Sequence, residues 1–108
     1  MFARSVSMNL KTNNVAEFTR TINDEVIPLL RKQKGFLDEI VLAVPGKTEA
    51  LGISLWDRKE SAENYNRDTY PQVQKALAKV LEGTPVVKTY DVTNSTFQKV
   101  AVAAHATA

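Results

Sequence analysis

The chain begins with a stretch in which apolar and polar residues alternate, followed by one in which apolar residues recur every three or four positions. The alternation over residues 2–10 predicts a β-strand whose apolar face carries a single charged residue, Arg4. The longer period over residues 15–34 predicts an amphipathic helix. Pro28 is expected to kink this helix, and Gly35 suits the left-handed conformation that ends one.

The middle of the chain predicts a β-hairpin followed by a second helix. Two β-rich runs, residues 36–44 and 49–56, flank a Pro-Gly-Lys-Thr turn. The helix that follows changes phase over residues 68–72, where a threonine and a proline predict a stop and a new start. Gly83 is expected to end this helix, and residues 85–92 alternate again as a fourth strand.

The order strand, helix, strand, strand, helix, strand is typical of the ferredoxin-like βαββαβ arrangement, an α+β fold. Right-handed crossovers place both helices on one face of a four-stranded antiparallel sheet. We assign residues 1–95 to this single domain and residues 96–108 to a C-terminal extension. Within the extension, residues 96–102 have the pattern of a short fifth strand, and the alanine-rich end has that of a loose tail.

Both faces of the predicted sheet are apolar, which has a consequence for assembly. The second strand carries Ile40 and Leu42 on one face and Val41 and Ala43 on the other. A sheet that is apolar on both faces needs two covers, and this chain has helices for one face only. We therefore predict a homodimer in which the uncovered faces of two sheets pack together.

Composition excludes several kinds of site. The 108 residues include no cysteine and one histidine, His105, so a thiolate metal site, a cysteine nucleophile and a multi-histidine metal cluster are excluded. A net charge of +2 gives no reason to expect a nucleic-acid partner. The apolar stretches are too short to span a membrane, and the first residues lack the apolar run of an export signal. The expected location is the cytoplasm.

Three passages resemble the antibiotic biosynthesis monooxygenase domains. Residues 27–36, Ile-Pro-Leu-Leu-Arg-Lys-Gln-Lys-Gly-Phe, are similar to the family's P-x-x-R-x-Q-x-G-F passage. Residues 55–62, Leu-Trp-Asp-Arg-Lys-Glu-Ser-Ala, resemble its W-x-s-x-e-x-A entry into the second helix, and residues 85–87 resemble its last strand. The resemblance covers roughly residues 2–92 and implies a dimeric α+β barrel. Family members include cofactor-free oxygenases of aromatic polyketides, haem-degrading enzymes and quinol oxygenases.

The haem-degrading branch fits this sequence poorly. Its pattern has an asparagine on the first strand, a tryptophan in the second helix and a histidine about three turns later. At the two helical positions this chain has Tyr65 and Lys75, and its first strand offers Arg4, Ser5 and Ser7 instead. The resemblance therefore implies the cofactor-free branch, and we expect no cofactor and no metal.

Cofactor-free oxygenation needs a pocket that binds an electron-rich phenol or quinol, helps to deprotonate it and lets its anion meet dioxygen away from water. A cation on an apolar strand face suits an enolate or phenolate, although an arginine paired with Glu39 or Asp91 is the simpler interpretation. Tyrosines beside a helix break suit a pocket mouth, or else they only pack. We predict catalytic roles for Arg4, Tyr65 and Tyr70, and substrate contacts for Trp56, Asn64 and Arg67.

The sequence leaves three functions open. The first is a cofactor-free monooxygenase acting on a small aromatic or polyketide-like phenol or quinol between sheet and helices. The second is a protein that binds such a molecule without chemistry, and the third is a purely structural dimer whose cavity is packed shut. A cavity filled by Phe18, Phe36, Trp56 and Leu77 would exclude the first two.

Overall fold

The computed structural model describes residues 1–12 and 14–97, and it has the predicted α+β, ferredoxin-like architecture. The strands are β1 (Phe2–Leu10), β2 (Phe36–Ala43), β3 (Glu49–Trp56) and β4 (Leu81–Asp91). They form one antiparallel sheet in the order β2-β3-β1-β4. The helices are α1 (Val15–Thr21), a π-helical segment (Ile22–Val26), α2 (Ile27–Arg31), α3 (Lys59–Asp68) and α4 (Tyr70–Leu77).

The predicted kink at Pro28 is a widened turn rather than a break. Helical residues continue without a gap from α1 through the π-helical segment into α2, where Pro28 lies in the first turn. A proline has no N–H to donate to the carbonyl four residues earlier, and its ring crowds that carbonyl. Here that carbonyl belongs to Asp24, inside the π-helical segment, where the wider turn accommodates the ring.

The second helix is interrupted where the sequence predicts it. Thr69 separates α3 from α4, and Pro71 lies in the first turn of α4. The prediction that Gly83 ends this helix is wrong, because α4 ends at Leu77 and Gly83 lies within β4. Gly83 has a positive φ of 70° at a shift in the pairing of β1 with β4, so the strand absorbs it as an irregularity.

The core lies between the helices and one face of the sheet. Trp56, at the end of β3, is 0% exposed and packs edge-on against Phe36 at 5.6 Å between ring centroids. Phe18 and Leu30 from the first helical stretch and Val73 from α4 are buried in the same cluster. All helices of the described residues are thus used on a single face of the sheet.

The opposite face of the sheet stays apolar and uncovered in the single chain. Ile40 and Leu42 of β2 are 51% and 45% exposed, and Val86 and Tyr90 of β4 are 55% and 49% exposed. These side chains alternate with the ones that face the helices, as the strand pairing requires. Exposed apolar area of this extent is typical of an interaction surface.

The C-terminal extension lies largely outside the described residues. Of the predicted fifth strand, residues 96–102, the structure describes only Thr96 and Phe97, and neither belongs to a strand. The predicted loose tail and His105 lie outside the described residues.

Candidate functional site

Arg4 is a charged side chain buried inside the apolar core. It lies on β1, it is 2% exposed, and it pairs with Ser54 of β3 and Thr89 of β4. A guanidinium carries its charge under all ordinary conditions, so its burial is unfavourable unless polar or anionic groups surround it. The neighbours of Arg4 therefore decide what this position can do.

Two tyrosine rings enclose the guanidinium. The Arg4 Cζ atom lies 4.0 Å from the ring centroid of Tyr70 and 5.2 Å from that of Tyr65, both within the range of cation–π attraction. Tyr65 comes from α3 and Tyr70 from the start of α4, so the helix break at Thr69 presents both rings to one cation. The structure thus brings together the three residues predicted to be catalytic.

The chain itself provides hydrogen-bond acceptors for only part of the Arg4 guanidinium. Its terminal nitrogen donates a hydrogen bond of 2.8 Å to the Asn66 side-chain oxygen, a neutral partner. None of the ion pairs among residues 1–12 and 14–97 includes Arg4, so the predicted alternative of an arginine paired with Asp91 or Glu39 does not hold. Within the same residues, Arg4 Nε and the Tyr70 hydroxyl are buried without a hydrogen-bond partner. Such groups are available to a ligand.

A carboxylate that the sequence analysis did not assign to the site also faces it. The pairing of β2 with β3 shifts by one residue between Phe36 and Asp38, which is the pattern of a β-bulge. The shift pairs Glu39, rather than Asp38, with Ser54, and Ser54 pairs in turn with Arg4. Glu39, Ser54 and Arg4 consequently form a row across three strands on the helix-facing side of the sheet.

Gly52 makes room for this carboxylate. A Cβ atom at Gly52 would lie 3.2 Å from Glu39 Oε2 and 3.6 Å from the Met8 methyl carbon. That spacing is tighter than usual for the carboxylate and ordinary for the methionine. The missing side chain therefore lets the Glu39 carboxylate lie over β3 toward the interior.

Burial governs the protonation of these groups. Burial raises the pKa of Glu39 to about 8; the Arg4 charge opposes this rise and the Asp38 charge adds to it. Burial also raises the pKa values of Tyr65 and Tyr70, again against the effect of Arg4. The tyrosines therefore remain protonated at neutral pH, whereas Glu39 changes its charge near physiological pH.

A small cavity lies between this row and the helices. Its volume is about 30 Å³, room for roughly one or two water molecules. Apolar side chains make up most of its wall, and the polar groups come from both the sheet and the helices. The lining residues are Arg4, Val6, Met8, Ile22, Val26, Leu30, Glu39, Val41, Gly52, Ser54, Tyr65, Tyr70, Val73 and Leu77. Among the four residues expected to fill a closed cavity, only Leu77 lies in this wall.

A second cavity lies beyond Arg4, toward β4. It has a volume of about 200 Å³ and is bordered by Arg4, Asn66 and the charged residues Lys59 and Glu63. Arg4 thus borders both spaces, and its hydrogen bond to Asn66 lies on the side of the larger one. The smaller cavity has the more apolar wall of the two.

The three residues predicted to contact substrate lie elsewhere. Trp56 is completely buried behind Tyr65, at 5.0 Å between ring centroids, and its indole N–H donates to the Ser54 hydroxyl at 2.9 Å. Asn64 and Arg67 are exposed on α3, where Arg67 donates to Asn64 and to Asp68. None of the three lines the smaller cavity, so they supply packing and surface contacts in this structure.

Asn66 is an exposed helix residue whose side-chain oxygen contacts the buried Arg4. Ala62, Tyr65 and Asn66 are spaced by three and four positions, so they share the face of α3 that meets the sheet. Asn64 lies between them on the solvent side. The position of Asn66, four residues after the buried Ala62, is the sequence signal for this contact.

The part of the chain that the structure describes has neither a candidate metal site nor a helix that could span a membrane. No group of three metal-binding side chains occurs among residues 1–12 and 14–97. No helix in this part of the chain is long and apolar enough to cross a bilayer.

Comparison with known proteins finds solved structures that share this fold. No family model and no curated protein matches the chain by sequence. The structure is similar to SnoaB, a cofactor-independent oxygenase from Streptomyces nogalater, with a TM-score of 0.72 and 14% identity over 90% of this chain and 97% of that one. It is also similar to the monooxygenase of ActVA-Orf6 from Streptomyces coelicolor, solved with the ligand Nanaomycin D, with a TM-score of 0.75 and 16% identity over 91% and 92% of the two chains.

A third similar structure carries the family's name. It is a candidate antibiotic biosynthesis monooxygenase from Nitrosomonas europaea, with a TM-score of 0.71 and 14% identity over 87% of this chain and 100% of that one. These similarities confirm the resemblance to the antibiotic biosynthesis monooxygenases at the level of the fold.

Proposed function

We propose that this protein is a cofactor-independent monooxygenase that acts on a small aromatic or polyketide-like phenol or quinol in the cavity between sheet and helices. One observation carries the proposal: Arg4 is a buried cation without an ion-pair partner in the described part of the chain, and it borders an aliphatic cavity. A cation in such surroundings stabilises an anion far more strongly than it would in water. The anion of a phenol or quinol suits both the charge and the apolar wall.

The chemistry requires few protein groups because the substrate supplies the electrons. Loss of the phenolic proton gives an anion that can transfer an electron to dioxygen and then form a carbon–oxygen bond with it. At a ring CH₂ group, one oxygen atom of O₂ becomes the new carbonyl oxygen and the other leaves as water with the two hydrogens. The protein has to hold the anion, keep water away and admit dioxygen.

Each residue of the site has a role in this reaction. Arg4 holds the substrate anion, and its Nε–H has no hydrogen-bond partner among the described residues. The Tyr70 hydroxyl donates a hydrogen bond to a substrate oxygen, and the rings of Tyr65 and Tyr70 fix the guanidinium. Asn66 positions Arg4 from the other side through its 2.8 Å hydrogen bond.

The volume of the cavity indicates how a substrate enters. About 30 Å³ accommodates the hydroxyl end of a phenol, and the ring requires neighbouring side chains to turn aside. Met8 and Leu77 line the cavity, and methionine is the side chain that adapts most readily to a new shape. The larger space beyond Arg4 suits a ring less well, because Lys59 and Glu63 border it.

The same narrow cavity also favours a non-catalytic protein. Such a protein either binds a small phenol without transforming it or has no ligand at all. Oxygen consumption separates the candidates, since only the first predicts that the protein speeds the aerobic oxidation of a hydroquinone or an anthrone-like phenol. Unaccelerated oxidation together with measurable binding would support the non-catalytic alternative.

We further propose that the protein is a homodimer built through the uncovered sheet face. Its apolar residues, Ile40, Leu42, Val86 and Tyr90 among them, are exposed in the single chain. A second copy of the chain offers a face of the same shape and polarity, which a two-fold axis can bring together. The cavities lie on the other side of the sheet, so dimerisation leaves them open.

Ile53→Lys is expected to convert the dimer to a monomer. Ile53 lies on β3 between Ser5 and Ile40, in the middle of the uncovered face, so a lysine there would bury a charge in an interface formed by that face. In sedimentation equilibrium we expect the wild type at about twice 12.0 kDa and the variant at 12.0 kDa. Val15→Lys, on the exposed side of α1, is the matched control and should stay dimeric. A monomeric wild type at micromolar concentration would contradict the assembly.

A further inference from the structure

Among the described residues, Glu39 is the one carboxylate that lines the apolar cavity, and the proposed reaction leaves open which group receives the proton of the substrate. Glu39 comes from β2, whereas Arg4 comes from β1, and the cavity lies against both. The β-bulge between Phe36 and Asp38 sets this orientation, because regular pairing would place Asp38 in the row instead. A bulge next to a cavity is a common means of aiming a side chain.

We infer that Glu39 is the general base of this site, accepting the proton of the phenolic hydroxyl whose anion Arg4 then holds. The inference rests on the proposed function and adds a catalytic residue to it. The O–H bond of the phenol breaks and an O–H bond forms on the Glu39 carboxylate. The negative charge moves from the carboxylate to the phenolate oxygen. Neither Glu39 nor the phenol is oxidised or reduced in this step.

The charges of the cavity favour this transfer. Arg4 is the one cation among the described residues that line the cavity, and Glu39 lies beyond ion-pair distance of it although the Arg4 charge lowers the pKa of Glu39. Before transfer the buried negative charge is on Glu39 and afterwards it is on the phenolate, so the cavity never holds two anions. The other groups around Glu39 add little charge to the cavity. Tyr65 and Tyr70 stay protonated, and Asp38 is exposed on its own strand. The π-helical segment and α2 face the cavity only with Ile22, Val26 and Leu30.

The protonation of Glu39 suits the task. Burial raises its pKa from 4.5 to about 8, close to the pH at which a general base works best. The raised pKa means that the folded state favours the protonated form. The folded protein therefore binds more protons than the unfolded chain between about pH 4.5 and 8, and stability falls as the pH rises through this window. Glu39→Gln should flatten that fall, which thermal unfolding can measure without any substrate.

Proton linkage tests the inference without requiring turnover. Above pH 8, a nitrophenol is bound as its anion, and the wild type should take up about one proton from solvent on binding, because Glu39 is ionised before binding and protonated after it. Titration calorimetry in buffers of different ionisation enthalpy measures this uptake. Glu39→Gln should bind the nitrophenolate with no proton uptake. Asp38→Asn, the neighbouring carboxylate on the exposed side of β2, should behave as the wild type.

Each other outcome overturns the inference. Equal proton uptake by the wild type and Glu39→Gln would place the proton on another group. Binding by the wild type without uptake, or no binding by either protein, would show that Glu39 does not share this cavity with a phenolate. Oxygen consumption tests the proposed function separately: a wild type that oxidises phenols while Glu39→Gln keeps the same rate and pH profile leaves that function standing and removes Glu39 from it.

Discussion

Replacing Arg4 with methionine is expected to abolish most of the oxygenation while leaving the fold intact. Methionine fills the space of the arginine stem and removes the cation that holds the substrate anion. Removal of one preorganised donor from an anion site typically lowers kcat by roughly 10²–10³-fold. We expect a loss of this size in kcat/KM for a hydroquinone, measured by oxygen uptake.

The stability of the same variant separates a functional role from a structural one. Arg4 has no ion-pair partner in the described part of the chain, so its removal leaves no buried carboxylate within ion-pair distance unpaired. Loss of the cation–π contacts destabilises the variant, whereas removal of the buried charge stabilises it. We expect the free energy of unfolding to change by less than about 2 kcal/mol.

The control for this variant is Arg31→Met, on the exposed side of α2, which should keep both activity and stability. A fully active Arg4→Met protein would remove Arg4 from the site. An Arg4→Met chain that does not fold would indicate that the guanidinium is structural, and Arg4→Lys, which keeps the charge, would then have to restore folding for the site to stand.

Trp56→Ala is expected to have the largest effect on stability. The side chain is 0% exposed, contacts Phe36 and Tyr65, and donates its indole hydrogen to Ser54. Truncation of a buried tryptophan removes this packing and leaves a cavity, at a loss of about 3–5 kcal/mol in the free energy of unfolding. Urea denaturation of Trp56→Ala measures the loss, and Val15→Ala at an exposed position should stay within about 0.5 kcal/mol of the wild type.

The milder Trp56→Phe variant tests whether Trp56 also contacts substrate. Because Trp56 lies behind Tyr65 and outside the cavity wall, Trp56→Phe should lower stability without changing KM. A KM that rises several-fold in a protein of near-native stability would show that Trp56 does reach the substrate, as the sequence pattern suggested.

Local patterns predict the fold and bring together part of the candidate site. Arg4 stood out as the single charge on an apolar strand face, and the phase change around Thr69 located the break that presents Tyr65 and Tyr70. Both signals are local, since they depend on the periodicity of one strand and of one helix. The uncovered sheet face follows from the same kind of pattern. The strands are apolar on both faces, and the chain has helices for only one of them.

The rest of the site depended on pairing between strands, which periodicity does not reveal. Asp38 and Glu39 are neighbours with opposite orientations, and only the bulge in β2 decides that Glu39 faces the interior. Gly83 illustrates the same difficulty, because β4 incorporates at a register shift a residue that normally ends a helix. Asn66, rather than the predicted Asn64, contacts Arg4 because it follows the buried Ala62 by four residues along α3, whereas Asn64 lies only two residues after Ala62.

The central claim is that this chain accelerates the reaction of a phenol or quinol with dioxygen. Its most direct test is oxygen uptake by the purified wild type with a hydroquinone and with an anthrone-like phenol under ¹⁸O₂, against the same substrates with Arg4→Met. We predict oxygen consumption well above the uncatalysed rate, loss of this excess in Arg4→Met, and ¹⁸O in the new carbonyl of the anthrone product. Oxygen uptake no faster than in buffer, with either class of substrate, would contradict the account.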